Sequence, residues 1–215
     1  MAEDSGQTVL SCLESHILPL VPGLSERLAA GIRVLDVGCG SGRAMNRLAG
    51  LYPNSHFTGM ELSLEAIETA RGEAAQQRLT NTAFIVRDVS DFDQTATPET
   101  FDLITTFDAI HDQSQPLRVL QGVYRTLKTD GLYLMQDIRA SSHMHNNIGH
   151  PLGTLLYTVS TMHCMTVSLA QGGEGLGAMW GEEKTREYLQ KAGFRSIETH
   201  RLDHDLQNNW YVVKK

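Results

Sequence analysis

Two short segments of this chain combine residue types that could do chemistry. The first, VLDVGCGSG at positions 34–42, has glycines at every second position directly after an apolar run. The second, FDAIHDQ at positions 107–113, has a histidine among carboxylates, and an imidazole changes its charge close to neutral pH. The glycines indicate a place where the backbone approaches a ligand closely, and the histidine is a candidate for proton transfer.

The spacing of the glycines distinguishes between two nucleotide-shaped ligands. Glycine lets the backbone turn tightly, and a helix that follows offers unpaired N–H groups to an anion. A dinucleotide loop has the pattern G-x-G-x-x-G, but the position that would hold its third glycine is Arg43. The loop of Gly38, Gly40 and Gly42 is therefore not of the NAD type.

VLDVGCGSG resembles the first motif of the class I S-adenosylmethionine-dependent methyltransferases, in which an acidic residue, here Asp36, precedes the glycines. Further acidic residues follow predicted strands in the order that this family has: Glu61 in TGMELS, Asp88 in VRDVSDF and Asp108 in TTFDAIHD. Open α/β sheets bind ligands at the carboxyl ends of their strands. Singly, each acidic residue is equally well explained by a helix cap or a solvated turn, but the ordered set favours a bound cofactor.

The resemblance implies a role for each of these residues. Glu61 binds the ribose hydroxyls, and Asp108 lies near the methionine moiety. Asp88 and the backbone N–H of Val89 hold the adenine. The expected cofactor-binding residues are Asp36, Gly38, Cys39, Gly40, Gly42, Glu61, Leu62, Asp88, Val89 and Asp108. Within this loop the cysteine is interpreted as a small filler and not as a nucleophile. The implied cofactor is S-adenosyl-L-methionine, and its product is S-adenosyl-L-homocysteine.

IHDQ is similar to the His-Asp pair of plant-type small-molecule O-methyltransferases, whose matching histidine deprotonates the acceptor hydroxyl. The likeness implies that His111 is the general base of an O-directed transfer, although Gln113 stands where that group usually has tryptophan. A base is needed only for an unactivated hydroxyl, because positioning alone can drive displacement on a sulfonium. The Asn/Asp-Pro-Pro-Tyr signature of N-directed enzymes is absent after the fourth strand. The alternative is a histidine that only packs or hydrogen-bonds in its loop.

Apolar strand-like runs alternate with segments of helical period after residue 31, which predicts βαβ units. The predicted strands are 32–37, 56–60, 83–87, 101–106, 132–137, 195–202 and 210–214. We predict an α/β fold: a three-layer Rossmann-like sandwich with a mostly parallel seven-stranded sheet, an antiparallel C-terminal hairpin and a helical insertion after the fifth strand. Ser63 and Pro116 are predicted to begin helices, the second of which reaches Leu127. Gly131 and Gly193 are predicted to end helices.

The predicted organisation has an N-terminal helical segment (1–30) and a methyltransferase domain (31–215) that contains a lid or insertion (139–181). Apolar residues from 152 to 169 keep helical spacing, and QGGEGLGAMWG indicates a mobile glycine loop. We expect part of this insertion to close over an apolar acceptor. LPLVPGLSERLAAGIRVLDVGCG, FDAIHDQ and MTVSLAQGGEGLGAMWG look like a group in which an N-terminal winged-helix domain precedes this one. That leading domain is absent from this sequence, so we expect either a natural short form of such a protein or a fragment of one.

Composition and charge limit the partners. The net charge is −7, and no basic run interleaves with aromatic residues, which argues against nucleic acid. The apolar stretches are shorter than the ~20 residues of a membrane span, and the acidic N-terminus is unlike a secretion signal. We expect a cytoplasmic protein with a small-molecule acceptor and no membrane partner, and a homodimer is left open.

No metal site is expected. The cysteines, at positions 12, 39 and 164, are too far apart for a C-x-x-C pair, and the histidines of SHMHNNIGH have no acidic or cysteine partner at ligand spacing. Two other functions stay open. Methylation of nucleic acid or protein would need a basic groove, whereas a regulatory domain or pseudoenzyme would bind the cofactor without transferring its methyl group.

Overall fold

The computed structural model of the protein describes residues 9–215. Within them one sheet contains β1 (Arg33–Val37), β2 (His56–Glu61), β3 (Thr82–Val86), β4 (Phe101–Phe107), β5 (Leu127–Ile138), β6 (Ser196–His200) and β7 (Asn208–Lys214). The strand order is β3-β2-β1-β4-β5-β7-β6, and the pairs are parallel except those that β7 makes with β5 and β6. The predicted sheet and its antiparallel C-terminal hairpin are confirmed.

Helices flank this sheet on both sides. In the described residues they are α1 (Leu24–Ala30), α2 (Arg43–Leu51), α3 (Leu64–Gln76), α4 (Phe92–Thr95), α5 (Pro116–Thr126), α6 (Gly153–Val159), α7 (Met165–Ala170) and α8 (Gly181–Ala192). Two apolar clusters cover the two faces: α1, α2 and α3 pack into one, and α4, α5 and α8 pack into the other. Val34 and Leu35, successive residues of β1, belong to opposite clusters, as a strand buried on both faces requires.

Local signals explain where several helices begin and end. The hydroxyl of Ser63 accepts a hydrogen bond from the N–H of Ala66 at 3.3 Å and caps α3, as predicted. Pro116 is the first residue of α5, where its missing N–H costs nothing. Gly193 ends α8 in a left-handed conformation, also as predicted.

The boundary between α5 and β5 differs from the prediction. Leu127 was expected on the helix and Gly131 at its end, but the helix ends at Thr126 and both residues belong to β5. Leu127 pairs with Phe101 at the start of β4, so sheet pairing competes successfully with the helical period at this point. A Cβ on Gly131 would lie 2.7 Å from the Leu127 side chain, which explains a glycine inside a strand.

The insertion between β5 and α8 has its own small core. α6 and α7 are joined through a π-helical turn, Ser160–Cys164. A 3₁₀ turn, Ala178–Trp180, follows the glycine-rich segment at 171–177. Leu156, Cys164 and Met179 are buried together against Ile138. Leu155, Met162 and Leu169, which keep the same helical spacing, are exposed instead, so the predicted helix is present but only part of its apolar set is buried.

The described part of the N-terminal segment packs on the sheet. A π-helical turn, Leu13–Ile17, precedes a 3₁₀ turn, Leu18–Leu20, and both precede α1. Leu13 and Ile17 are buried in the same apolar cluster as α2 and α3. Over residues 9–215, none of the helices combines the length and the apolar character that crossing a membrane requires.

Candidate active site

A cleft of about 480 Å³ opens where the strand order reverses between β1 and β4. Open α/β sheets bind their ligands at such reversals. The glycine loop, the ends of β2, β3 and β4, and the helices of the insertion line it. The cleft brings together the predicted site residues Asp36, Gly38, Cys39, Gly40, Glu61, Leu62, Asp88, Val89, Asp108 and His111.

The glycine loop presents bare backbone to this cleft. Gly40 has φ +51° and open space where a Cβ would stand, so a ligand can approach its main chain directly. A Cβ on Gly38 would lie 2.6 Å from the Cβ of Ala109, which would push the loop away from the segment that follows β4. The N–H groups of Gly38 and Cys39 both donate to the carbonyl of Met60, at 2.8 and 3.1 Å, and fix the loop to β2.

Gly42 lies behind the loop and does not line the cleft. A Cβ there would lie 2.4 Å from the ring of Phe84 and 2.7 Å from the Cβ of Ala70. Gly42 therefore allows the start of α2 to pack against α3 and β3. The prediction grouped it with the cofactor-binding residues, because the spacing of a motif does not distinguish a glycine that faces a ligand from one that faces the core.

Asp36 is buried near the end of β1, and its side chain faces the cleft. Burial raises the pKa of this carboxyl to about 7, although a hydrogen bond that Thr105 Oγ1 donates to Oδ1 at 2.7 Å opposes the shift. A nearby positive charge would favour the ionised form. The carboxyl of Asp36 would therefore bind a cation in its ionised form.

Glu61 connects the glycine loop to the start of α3. Its Oε1 accepts the N–H groups of Leu62 and Ser63 at 2.9 and 3.0 Å, and its Oε2 accepts the N–H of Gly40 at 3.2 Å. The carboxylate therefore accepts three backbone N–H groups from two segments while it still lines the cleft. A ligand hydroxyl placed beside it would find an oriented acceptor.

The end of β3 contributes a polar and an apolar group to the rim. Asp88 is exposed, and its Oδ1 accepts the N–H of Ser90 at 2.8 Å in a local turn. Val89 is buried beside it, and Leu62 is 52% exposed on the other side of the cleft. This edge has the composition of a site for a flat ring with polar edges.

Asp108 directly follows β4 in a left-handed backbone conformation, with φ +50°. Such a conformation is uncommon for a residue with a side chain and concentrates at functional sites. Its N–H donates to the carbonyl of Gln136 at 3.1 Å, and its buried Oδ1 accepts no hydrogen bond from the described residues. Burial first, and then the charge of Asp137, raise the pKa of this carboxyl to about 7.

His111 is buried at the same end of β4, and its main partner is Asp137 at the end of β5. The Nδ1 of the imidazole lies 2.7 Å from Asp137 Oδ1, and it must donate because a carboxylate only accepts. In that tautomer Nε2 is the basic nitrogen. Asp112 Oδ1 lies 3.3 Å from Nε2, so the pair expected from IHDQ is present but weaker than the pair with Asp137.

Two further side chains fix this arrangement, and the sequence did not point to them. The indole of Trp180 donates to Asp137 Oδ1 at 3.0 Å, and the N–H of Ile138 donates to the same oxygen at 2.8 Å. Cys164 of the insertion reaches the imidazole from the other side. The available signal for Asp137 was an acidic residue next to the last position of a largely apolar strand segment, LYLMQDI.

The pKa of His111 reflects two opposing effects. Burial disfavours the charged ring, but Asp137, through its charge and its hydrogen bond, raises the pKa well above its usual value. Cys164 and Asp112 act in the same direction as Asp137. The partners of His111 thus favour the protonated ring, which becomes a base at Nε2 when that proton leaves.

The other candidates for chemistry lie elsewhere or are inert. Burial raises the pKa of the Cys39 thiol, which disfavours the thiolate and fits a loop filler. His143 and His145 stack at 5.8 Å on an exposed turn, and His150 Nε2 lies 2.8 Å from the carbonyl of Arg139. These histidines belong to none of the ligand clusters found among residues 9–215.

A profile of the methyltransferase domain family matches residues 28–193, which include β1 to β5, the insertion and α8. This chain belongs to the S-adenosylmethionine-dependent methyltransferases. S-Adenosylmethionine is the cofactor of this family, and the part of the resemblance that rests on VLDVGCGSG is confirmed.

Curated and solved relatives of this methyltransferase agree with that assignment. It is 29% identical over 120 residues to malonyl-[acyl-carrier protein] O-methyltransferase of Bacillus anthracis (54% of this chain, 41% of the relative). It is 32% identical over 111 residues to ubiquinone biosynthesis O-methyltransferase of Actinobacillus pleuropneumoniae (50% and 46%). A SAM-dependent methyltransferase from Aquifex aeolicus has the same fold, with a TM-score of 0.65 and 17% identity over 99% of this chain and 96% of that one. The chain spans less than half the length of these two curated relatives.

Proposed function

We propose that this methyltransferase transfers the methyl group of S-adenosylmethionine to a hydroxyl of a small apolar molecule, with His111 as the general base. One observation carries the proposal: a single cleft joins the bare backbone of Gly40 to the buried imidazole of His111. A cofactor on the glycine loop and an acceptor beside the histidine would share that cleft. The curated relatives include both O-methyltransferases and N-methyltransferases, so the choice of oxygen rests on the imidazole of His111 and its bond to Asp137.

When bound, the cofactor would supply a methyl group that is attached to a positively charged sulfur. Glu61 and the edge formed by Asp88 and Val89 are proposed to hold its nucleoside, and Asp36 and Asp108 to face its charged end. Buried carboxyls attract a cation more strongly than the same groups would in water. They also compensate for the water that the cation loses on entering the cleft.

His111 is proposed to take the hydroxyl proton at Nε2 while Asp137 holds Nδ1. The bond from Asp137 sets the tautomer and stabilises the imidazolium that forms, so Asp137 is a positioning residue. Trp180 and the N–H of Ile138 keep the carboxylate in place. Asp112 Oδ1 lies 3.3 Å from Nε2, and an acceptor hydroxyl bound to Nε2 would take its place.

The cleft also has an apolar lining that belongs mainly to the insertion. Leu156, Val159 and Val167 line it together with Ile138 and Ala178. These side chains would bury a hydrocarbon or aromatic ring and would exclude water from the reacting atoms. The likeness to methyltransferases with a leading winged-helix domain is also part of this proposal.

Transfer is tested directly with methyl-labelled S-adenosylmethionine and a cellular small-molecule extract. We expect one labelled small molecule that carries its label as an ether methyl group. Cofactor binding without any labelled product would instead identify a regulatory domain or pseudoenzyme. Label in protein or nucleic acid would contradict the small-molecule acceptor.

Glu61→Ala should weaken S-adenosylmethionine binding by about tenfold to about a hundredfold, because a hydrogen bond to a charged group is worth roughly 1.5 to 3 kcal/mol. Isothermal titration calorimetry measures the affinity. Glu65→Ala is the matched control, since that carboxylate is exposed on the first turn of α3 and lies outside the cleft. A lower melting temperature together with unchanged affinity would show that Glu61 only stabilises the loop around Gly40 and does not bind the cofactor.

The glycine-rich segment at 171–177, in the insertion, is predicted to be the mobile part of a lid. Ser168 anchors it, because its hydroxyl donates to the carbonyl of Gln113 at 3.0 Å and accepts the N–H of Gly175 at 3.1 Å. We expect the amides of Gly172, Gly173, Gly175 and Gly177 to exchange hydrogen more slowly once cofactor and acceptor are bound. β6, at the far edge of the sheet, serves as the internal reference. Equal exchange rates with and without ligands would mean that the loop is not a lid.

A further inference from the structure

A second group of chemically capable side chains lies outside the cleft, at the contact between the N-terminal segment and the connection from β6 to β7. The ligand atoms of Cys12, His16 and His204 all lie within 4.8 Å of one another. The two imidazole rings are 4.8 Å apart between centroids. None of the three residues lines the cleft, so the proposed transfer makes no use of them.

The backbone brings Cys12 and His16 to one side of the same helical turn. The N–H of His16 donates to the carbonyl of Cys12 at 2.9 Å, and the side-chain ligand atoms of both residues lie within 4.8 Å of each other. Leu13 and Ile17 between and beside them are buried and hold the turn on the core. The spacing Cys-x₃-His on a packed turn is a ready pair of metal ligands.

His204 comes from a loop that is held rigidly. The next residue, Asp205, is fully buried, and its Oδ2 accepts the side-chain N–H groups of Gln136 and Trp210 at 3.1 and 3.0 Å. The N–H of Asn208 donates to the other oxygen at 3.1 Å. These bonds fix the loop to β5 and β7, so His204 is presented to the N-terminal turn at a defined position.

We propose that Cys12, His16 and His204 bind a divalent ion of the zinc type, and that this ion fastens the N-terminal segment to the β6–β7 connection. One thiolate and two imidazoles are ligands that zinc prefers, and three protein ligands leave a fourth position for water. Zinc needs bonds of about 2.0 to 2.3 Å, so the ligand atoms must close by about 1 Å. The exposed His16 side chain can make that movement. The thiol releases its proton to solvent on binding.

The proposed ion would lie beside the cleft and would take no part in the reaction. Val9 and Leu10, just before Cys12, line the cleft, and so does Gln207, just after His204. A bound ion would therefore join two stretches of the cleft rim that are far apart in sequence. The expectation of no metal site arose because sequence spacing reveals two of these ligands at most, whereas the third is brought in by the fold.

The ion is tested with metal-free protein titrated first with Co²⁺ and then with Zn²⁺. We expect the thiolate-to-cobalt charge-transfer absorption of a site containing one cysteine, and its loss when Zn²⁺ is added in equal amount. Cys12→Ser should abolish this absorption. His204→Ala should weaken Zn²⁺ binding by more than about a hundredfold, since even the outer partners of metal ligands are worth ten- to a hundredfold. His145→Ala, which removes an exposed histidine elsewhere, should bind like the original protein.

The variants also show where an ion binds if it does not bind here. His111, Asp112 and Cys164 form another possible ligand group, inside the cleft. An absorption that survives Cys12→Ser and disappears in Cys164→Ser would overturn the proposal in favour of that group, and so would the absence of any thiolate absorption. Equal melting temperatures of the metal-free Cys12→Ser and original proteins would show that the variant folds.

A second measurement tests the fastening. Zn²⁺ should slow hydrogen exchange in residues 9–17 and raise the melting temperature of the original protein but not that of Cys12→Ser, because a ligand that binds only the folded state stabilises it. If Zn²⁺ leaves the hydrogen-exchange rates of residues 9–17 unchanged, the ion does not fasten the N-terminal segment to the β6–β7 connection. Neither result depends on methyl transfer, so this proposal and the proposed function can fail separately.

Discussion

His111→Ala should lower the turnover of a hydroxyl acceptor by about a hundredfold or more, while the affinity for S-adenosylmethionine stays close to that of the original protein. A positioned general base contributes roughly a hundredfold to ten-thousandfold. His111 lies at the end of the cleft that is proposed for the acceptor, and the cofactor is proposed to bind on the loop around Gly40. Single-turnover measurements with saturating cofactor separate the two effects.

The pH dependence has a definite direction. Neutral imidazole is the active form, and Asp137 raises the pKa of His111 well above its usual value. Turnover should therefore still rise with pH above neutrality, and it should level off only beyond the raised pKa. Asp137→Asn removes the negative charge, so the rising limb should move to lower pH while the maximal rate falls, because the tautomer and the imidazolium are less well stabilised.

Two outcomes would contradict this assignment. Wild-type rates for His111→Ala at every pH would leave catalysis to positioning alone. A large loss of cofactor affinity with an unchanged rate per bound cofactor would make the histidine a structural residue.

The raised pKa also predicts a stability effect: the charged pair with Asp137 stabilises the folded protein at acid and neutral pH, and this contribution disappears as the pH rises through the raised pKa.

Gly40→Val should abolish measurable binding of S-adenosylmethionine while the protein still folds. Gly40 has φ +51°, a region that a β-branched residue rarely adopts, and its Cβ position is open because it faces the cleft. The valine methyl groups would occupy the space through which the cofactor approaches the main chain. Calorimetry with S-adenosylmethionine and S-adenosylhomocysteine measures the loss, and NAD should bind to neither protein.

A matched glycine separates backbone strain from blocked space. Gly23 also has a positive φ, +81°, and open space around its Cβ position, but it lies before α1 and away from the cleft. Gly23→Val should lower the melting temperature through strain and leave cofactor affinity intact. Should both variants lose affinity equally, strain would explain the result, and the loop around Gly40 would have no special part in binding.

The sequence predicts the sheet well because each strand is an apolar run bounded by turn residues. β4 and β7 lie within two residues of their predicted bounds. It misplaces the start of β5, since a helical period that continues into Leu127 cannot reveal that the residue pairs with Phe101. Local propensity is overruled there by a contact that only the folded chain makes.

The same distinction applies to the site. Glycines and acidic residues at strand ends can be predicted, because parallel strands bring their carboxyl ends to one edge. Asp137 was not predicted as the partner of His111, since the two residues come together only when β4 and β5 pair. Trp180 and Cys164 were missed for a similar reason, because the insertion must first fold back over the sheet.

The buried carboxyls of Asp36 and Asp108 have a consequence for how the protein would renew its cofactor. Burial raises the pKa of each carboxyl to about 7, so near neutrality each is protonated more readily than a carboxyl in water. A sulfonium brings a positive charge and would drive protons out, whereas the thioether left after transfer lacks that charge and would let a proton return. The spent molecule would then be held less firmly than the fresh one, because the two carboxyls attract a cation and not an uncharged thioether.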